Sequence, residues 1–186
     1  STKNSSENND FSIESVPSAE DLVKKELLGD GIDASNISLS GSNKTMGVFT
    51  GAKKIDFPIN NGIILCTGNA KIINNWNTNG GTSNLAGGGS DDDLNEIIKN
   101  TNLLTNDKSV IEFDFKPISS IVKFEYVFGS EEYPEYVCSN FNDVFGFLIS
   151  GPKPGGGYYN KLNLANIPNT NIPISVNTLN GGSKGG

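Results

Sequence analysis

The segment FGSEEYPEYVCSNFNDVFGF, residues 128–147, gathers carboxylate and amide side chains between two apolar runs. Calcium binds oxygen atoms of carboxylates, amides and backbone carbonyls, and it accepts irregular loops. A turn containing Pro134 folds the chain back and so brings the two ends of the segment together. The predicted calcium ligands are Glu131, Glu132, Asn142 and Asp143. The alternative is that these side chains only accept hydrogen bonds from nearby backbone amides.

A second acidic cluster is formed by Asp91, Asp92 and Asp93. These residues are consecutive, so they lack the alternating spacing of an EF-hand loop. Acidic residues at the start of a helix are also favoured by the helix dipole without any ion. The cluster is therefore a second predicted ligand-binding site, with stabilisation of a helix start through the helix dipole as the alternative.

Aromatic side chains in loops are a third candidate feature. They are Trp76, Tyr133, Tyr136, Tyr158 and Tyr159. Aromatic faces presented from the loops of a β-sandwich can stack on sugars, although such residues also close the rim of a core. We expect a glycan- or protein-binding role for Trp76, Tyr133 and Tyr136.

The composition excludes several classes of protein. The chain has 186 residues and no histidine, which excludes Ser-His-Asp and Cys-His catalysis and the common zinc sites. No pair of carboxyls is fixed at the separation that glycoside hydrolysis requires, so we expect no enzyme. The net charge of −7 with thinly spread basic residues argues against a nucleic-acid partner. No apolar run is long enough to cross a bilayer.

The elements that would position these residues are mainly strands. A helix is predicted after Ser18, which is a suitable N-cap, with Gly29 as its end. A short helix is predicted from Asp92 to Asn100, within the long polar loop. Strands are predicted within residues 11–16, 45–51, 62–70, 110–115, 121–128, 143–150 and 172–178, from alternation or short apolar runs.

Two of these predictions concern neighbouring strands in detail. Segments 110–115 and 121–128 alternate apolar and charged residues on either side of Pro117, which predicts adjacent strands joined by a short loop. Segment 143–150 is nearly apolar throughout, which predicts a central strand covered on both faces. The fold class is therefore mainly β, an antiparallel β-sandwich of jelly-roll type with two helices. Residues 1–10 are polar and predicted to be disordered, and residues 11–186 are predicted to form a single domain.

The chain also resembles a known family. The segments FEYVFGSEEYPEYVCSNFNDVFGFLISGP, GIILCTGNA, VIEFDF and NLANIPNTNIPISVNTLNGG are similar to the choice-of-anchor L domain of bacterial exported proteins. The resemblance covers about residues 18–182. It implies an extracellular or cell-surface location, and no reaction is associated with the family.

The resemblance further implies that strands beyond Gly186 complete the sandwich, so the domain would be incomplete at its C-terminus. A sheet lacking strands exposes an edge that can pair with another chain. We therefore expect a strand from another segment or subunit to fill the gap. Cys138 would then form a disulfide with a cysteine outside this chain, and Cys66 would be a buried thiol.

Two functions remain open from the sequence. The first is a surface adhesion module that binds a glycan or protein, with calcium stiffening one rim. The second is a structural subunit of a surface fibre or appendage, whose partner is another copy of the chain or the missing C-terminal segment.

Overall fold

The computed structural model describes residues 11–16, 18–74, 86–133 and 136–179. These residues fall into two compact units. The first unit contains the described residues up to 74 together with 86–88 and 107–126, and the second contains 89–106 and the described residues from 127 onward. Residues 1–10, predicted to be disordered, lie outside the described residues.

The described strands range from two to ten residues, and β2 and β5 are the longest of them. In chain order they are β1 Ser12–Ser15, β2 Ile32–Gly41, β3 Met46–Thr50, β4 Gly62–Leu65, β5 Ser109–Pro117, β6 Val144–Phe145, β7 Leu148–Pro152, β8 Tyr158–Asn163 and β9 Ile174–Ser175. The α-helices are α1 Ala19–Asp21, α2 Asp92–Ile97 and α3 Val176–Leu179, with 3-10 turns at Ala52–Ile55, Ala70–Asn74 and Lys99–Thr101.

The helix at the N-terminus forms where the sequence predicts it. The Ser18 hydroxyl accepts a hydrogen bond from the Asp21 N–H at 3.0 Å, so it caps α1. The helix continues as a π-helical segment, Leu22–Leu27, and ends before Gly29. Leu22 and Val23 are fully buried, so this helix packs through one face of its second turn.

The core of the first unit lies against a three-stranded antiparallel sheet in the order β1-β3-β4. Ile13 and Phe49 face each other across β1 and β3, and they are buried with Ala52 and Ala70. The ring of Phe57 meets Phe49 edge to face, with centroids 6.0 Å apart. The strands predicted within residues 11–16 and 45–51 are therefore confirmed, and the one predicted within 62–70 is confirmed only at β4.

The second sheet of this unit pairs β2 with β5, antiparallel. Strand β5 confirms the prediction for residues 110–115, and its last residue, Pro117, lies opposite Ile32. The sequence did not predict β2. The prediction that residues 121–128 form a strand adjacent to β5 is wrong, because residues 121–130 adopt neither strand, helix nor turn.

The second unit contains two-stranded antiparallel pairs, β6 with β9 and β7 with β8. The predicted central strand over residues 143–150 is wrong, because it is interrupted at Gly146 and Phe147 and each half has one partner strand among the described residues. A Cβ on Gly146 would lie 2.7 Å from Ile97 Cδ1, so a larger residue there would make the Ile97 side chain on α2 shift. The strand predicted within 172–178 is confirmed only at β9, since α3 follows directly.

The predicted class is confirmed, because the described residues are mainly β with antiparallel sheets and few helices. The short helix predicted from Asp92 is confirmed as α2 and the 3-10 turn after it. The sandwich or jelly-roll packing of the sheets and the single domain over residues 11–186 stay predictions.

Candidate functional site

The acidic turn, which we define as the described residues within 130–143, is fixed by its own backbone and side chains. The Ser130 hydroxyl accepts from the Glu132 N–H at 3.2 Å and donates to Glu132 Oε2 at 2.9 Å. The Tyr136 N–H then donates to the Glu132 carbonyl, and the Ser139 N–H to the Tyr136 carbonyl, both at 2.9 Å. These bonds hold the Glu132 carboxyl group in place.

Asp143 lies against Glu132, and their carboxyl groups share a hydrogen bond. Burial raises the pKa of Asp143 from its ordinary 3.8 to about 7, and the charges of Glu132 and Glu131 and the bond to Glu132 add to that effect. Two carboxyls in hydrogen-bond contact require a shared proton or a bound cation, because two bare negative charges repel at that distance. The pair therefore changes its proton content near neutral pH.

Tyr133 lies within the electrostatic influence of this pair. The hydroxyl oxygen is buried and has no hydrogen-bond partner within the described part of the chain. Burial, followed by the charges of Glu132 and Asp143, raises the pKa of Tyr133. An unsatisfied buried hydroxyl next to two carboxyls marks a place for a polar ligand such as water or a cation.

Asn142 has a role in the fold, and its predicted role as a calcium ligand stays a prediction. Its Oδ1 accepts the Asn177 N–H at 3.0 Å, and the Asn177 Oδ1 accepts the Cys138 N–H at 2.6 Å. The two asparagines thereby join the end of the acidic turn to α3. The Asp143 carbonyl strengthens this connection by accepting the Val176 N–H at 3.0 Å.

The four predicted calcium ligands are thus only partly brought together. Glu132 and Asp143 are in contact and Glu131 acts on Asp143 electrostatically, while the Asn142 oxygen is used in the link to α3. In the described part of the chain, no group of three or more His, Cys, Asp or Glu side chains is placed to hold a metal ion. The described donor set is therefore smaller than the six to eight oxygens that calcium takes.

Two aromatic side chains form the exposed rim of the acidic turn. The rings of Tyr136 and Phe141 meet edge to face with centroids 5.3 Å apart. Phe141 is 59% exposed and Tyr136 is 37% exposed. Sequence reasoning missed Phe141, although its position between two polar residues in a turn was a usable signal. Trp76, the third predicted binding aromatic, lies outside the described residues.

The cluster Asp91, Asp92 and Asp93 begins α2. The Asp91 carboxylate accepts from the N–H groups of Asp93 and Leu94 at 3.1 and 3.0 Å, which is an N-cap. Asp93 forms an ion pair with Lys161 at 2.5 Å. The structure therefore gives two of the three carboxylates a role in the fold, and ligand binding by this cluster stays a prediction.

The two cysteines lie in different units. Cys66 is half-buried rather than buried, and its thiol lies 3.2 Å from the carbonyl of Gly68 and 3.4 Å from that of Thr45. Cys138 is exposed and has a left-handed backbone, with φ of 63°. A disulfide from Cys138 to a cysteine outside the chain stays a prediction.

The comparisons with known proteins give one result. A family model described as the choice-of-anchor L domain matches residues 9–186. No curated protein and no solved structure matches the chain.

Within the described residues, no helix has the length and apolar character needed to span a membrane.

Proposed function

Since the chain belongs to the choice-of-anchor L domain family, a family of bacterial cell-surface domains, we propose that it is a non-catalytic module that binds a glycan or protein outside the cell. The observation that carries the proposal is the exposed pair Tyr136 and Phe141 on the acidic turn. Exposed aromatic rings that are already held in place bind partners with little loss of side-chain entropy.

The acidic turn makes this rim rigid. Tyr136 is bonded through its backbone to Glu132 and Ser139, and the Phe141 N–H donates to the Ser139 hydroxyl at 3.1 Å. Both rings are therefore attached to backbone with defined hydrogen bonds. A preorganised surface of this kind is what binding favours, because fewer groups have to be ordered when the partner arrives.

The same geometry supports a role without catalysis. A glycosidase holds its two carboxyls about 5 Å or more apart, with the sugar between them. Glu132 and Asp143 share a hydrogen bond, so no sugar ring fits between them. The absence of histidine from the sequence also removes the commonest general base.

Calcium enters the proposal as an ion that bridges Glu132 and Asp143. Its support is the contact between two carboxyls and the buried, unsatisfied Tyr133 hydroxyl beside them. A bound cation neutralises the pair and so stiffens the turn that carries the aromatic rim. Since the described donors are few, water completes the coordination, and the affinity belongs in the weak range typical of extracellular calcium sites.

The binding test compares the wild-type chain with Tyr136→Ala and Phe141→Ala on a glycan array and on extracellular protein ligands. Tyr158→Ala is the matched control, because Tyr158 is 64% exposed and lies on β8, away from the turn in sequence. We expect at least a tenfold loss of binding for the two rim variants and none for the control, as for aromatic hot spots. Equal binding by all three variants would contradict the proposal.

The calcium test is a thermal melt in EDTA, with calcium, and with magnesium at the same ionic strength. We expect calcium to raise the midpoint temperature of thermal unfolding of the wild-type chain and to leave that of Asp143→Asn unchanged. If magnesium raises the melting temperature as much as calcium does, or if calcium raises that of Asp143→Asn as much as that of the wild type, calcium is removed from the proposal. The role of the aromatic rim is decided separately by the binding assay.

A second candidate is a structural subunit of a surface fibre, assembled by strand complementation. The observation that favours it is the long β2–β5 pair, which no other described strand joins at either outer edge. An open edge of this length can accept a strand from another chain. Fibres in electron micrographs of the purified chain, with no binding on the arrays, would favour this candidate over the adhesion module.

A further inference from the structure

The segment Ile121–Val127 has the sequence of a strand and is not in one. Apolar residues alternate with charged ones along it, and the structure gives residues 121–130 no helix, strand or turn. From 121 to 125 the side chains alternate between exposed and half-buried. Within 121–125 one set of side chains is therefore partly covered by the protein and the other faces solvent, while Tyr126, which follows the partly covered set, is 42% exposed.

The exposed set consists of Ile121, Lys123, Glu125 and Val127. Ile121 is 69% exposed and Val127 is 47% exposed. In an extended chain the N–H and C=O groups of alternate residues point to the same lateral edge, so these four residues would share one hydrogen-bonding edge once the segment pairs as a strand.

The backbone groups along that edge are available. The N–H and C=O groups of Lys123, Glu125 and Val127 make no hydrogen bond in the part of the chain that the structure describes. The Ile121 N–H has only a long contact, 3.4 Å, to the Ser119 hydroxyl. A row of such groups is a template for pairing with another strand.

We propose that this segment pairs antiparallel with the same segment of a second copy, around a two-fold axis beside Phe124. In that register Lys123 lies opposite Glu125 of the second copy, and Glu125 opposite its Lys123. Ile121 lies opposite Val127 at each end. The two-fold axis beside Phe124 sets this register, because each residue faces the residue of the second copy that lies equally far on the other side of Phe124.

The second copy is the occupant that the chemistry selects. Opposite charges and β-branched pairs directly across an antiparallel ladder stabilise it, and like charges destabilise it. The segment is complementary to itself in both respects, with two charge pairs and two Ile121–Val127 pairs related by the axis. Such an interface is isologous and closes at two copies.

The dimer is weak when both copies are free in solution. About seven residues of each copy take part and form about eight backbone hydrogen bonds, whereas a standard interface uses about 20–30 residues a side. Many copies on one surface raise the local concentration, which favours pairing there. The inference goes beyond the binding role proposed above and does not depend on it.

Sedimentation equilibrium over a concentration series tests the pairing. We expect the wild-type chain to form dimers as its concentration rises. Lys123→Glu places glutamates opposite each other at both charge pairs, and Glu125→Lys does the same with lysines. Each single variant should raise the dissociation constant about 30-fold. Circular dichroism should show both variants folded, because both side chains are exposed.

The decisive sample is an equal mixture of the two single variants. In a mixed dimer every Glu faces a Lys, so dimers should return, and the double variant carrying both changes should dimerise alone. Lys44→Glu, an exposed residue with the same charge change, should dimerise like the wild type. A wild-type chain that stays monomeric throughout the series, or a mixture no more dimeric than its two components, would overturn the pairing. Loss of glycan binding in Tyr136→Ala with dimers intact would separate this inference from the proposed function.

Discussion

Replacing Asp143 by asparagine tests the acidic pair directly. We expect Asp143→Asn to stabilise the protein at pH 8 and to leave it close to wild type at pH 4.5. Above about pH 7 the wild-type chain holds two ionised carboxyls, those of Glu132 and Asp143, in contact. The asparagine amide has nearly the same shape, carries no charge, and donates the hydrogen bond that the protonated carboxyl donates at low pH.

The size of the effect follows from the pKa of Asp143. Its rise from 3.8 to about 7 corresponds to about 4 kcal/mol, at 1.36 kcal/mol for each pH unit. Asp143 is half-buried, so solvent screens part of this energy. We expect a stabilisation of about 2 kcal/mol by Asp143→Asn at pH 8.

The direction of the pH dependence is fixed by linkage. Between about pH 4 and pH 7 the native state keeps a proton on Asp143 that the unfolded chain has released. The stability of the wild-type chain therefore falls as the pH rises through this window. The contribution from Asp143 is fully present below its unfolded pKa and is lost above about pH 7.

Urea unfolding followed by circular dichroism, in EDTA and at several pH values from 4.5 to 8, measures both chains. Asp30→Asn is the matched control, because it makes the same charge change at an exposed turn residue. The reasoning is refuted if Asp143→Asn is less stable than wild type at pH 8. It is refuted equally if the difference between the two chains is the same at every pH.

Three further substitutions test the fold around the proposed surfaces, each by urea unfolding. Asp91→Ala removes the N-cap of α2 and should destabilise the protein by about 1 kcal/mol, while Asp92→Ala should change its stability by less than about 0.5 kcal/mol. Leu22→Ala leaves a cavity at a fully buried side chain and should destabilise by about 2–5 kcal/mol. Gly41→Ala should destabilise by about 1–3 kcal/mol, because φ is +114° and the new Cβ would meet the Lys108 carbonyl oxygen. Equal stability of Asp91→Ala and Asp92→Ala, or wild-type stability of Leu22→Ala or Gly41→Ala, would contradict these assignments.

Features encoded by neighbouring residues could be predicted from the sequence. Ser18 caps a helix as expected, because a cap needs only a side-chain oxygen two or three residues before the N–H groups from which it accepts. The helix predicted from Asp92 also forms, and Asp91 is its N-cap. Strands β1 and β3 were likewise predicted from short apolar patterns bounded by turn residues.

Strand β2 could not be predicted, because its apolar alternation is broken. Its pairing with β5 shifts between Ser35 and Ser38, and Asn36 in that interval has a left-handed backbone with φ of 51°. A bulge of this kind moves the following side chains to the other face. The apolar pattern over residues 32–41 therefore follows no single period, and the strand is visible only when β5 is beside it.

The candidate site also contains some features that the sequence predicts and others that it does not. The proximity of Glu132 and Asp143 could be predicted from a turn that folds back, since the two residues flank it. The hydrogen bond that Asn142 accepts could not be predicted, because its partner Asn177 lies 35 residues away on α3. Likewise, the closeness of Ile97 to Gly146 joins residues 49 positions apart, which no local pattern contains.

The failed prediction at residues 121–128 has a physical meaning. Alternation shows that a segment is suited to pairing, whereas a strand also requires a partner at its edge. In this chain the pattern is present and no described strand pairs with it. A segment whose local conformational preference differs from its conformation in the fold is expected at functional positions, because elsewhere such a difference only lowers the stability of the protein. The proposed self-pairing through Lys123 and Glu125 would account for two facts together: the strand-like sequence of the segment, and the exposure of the face that carries these two residues.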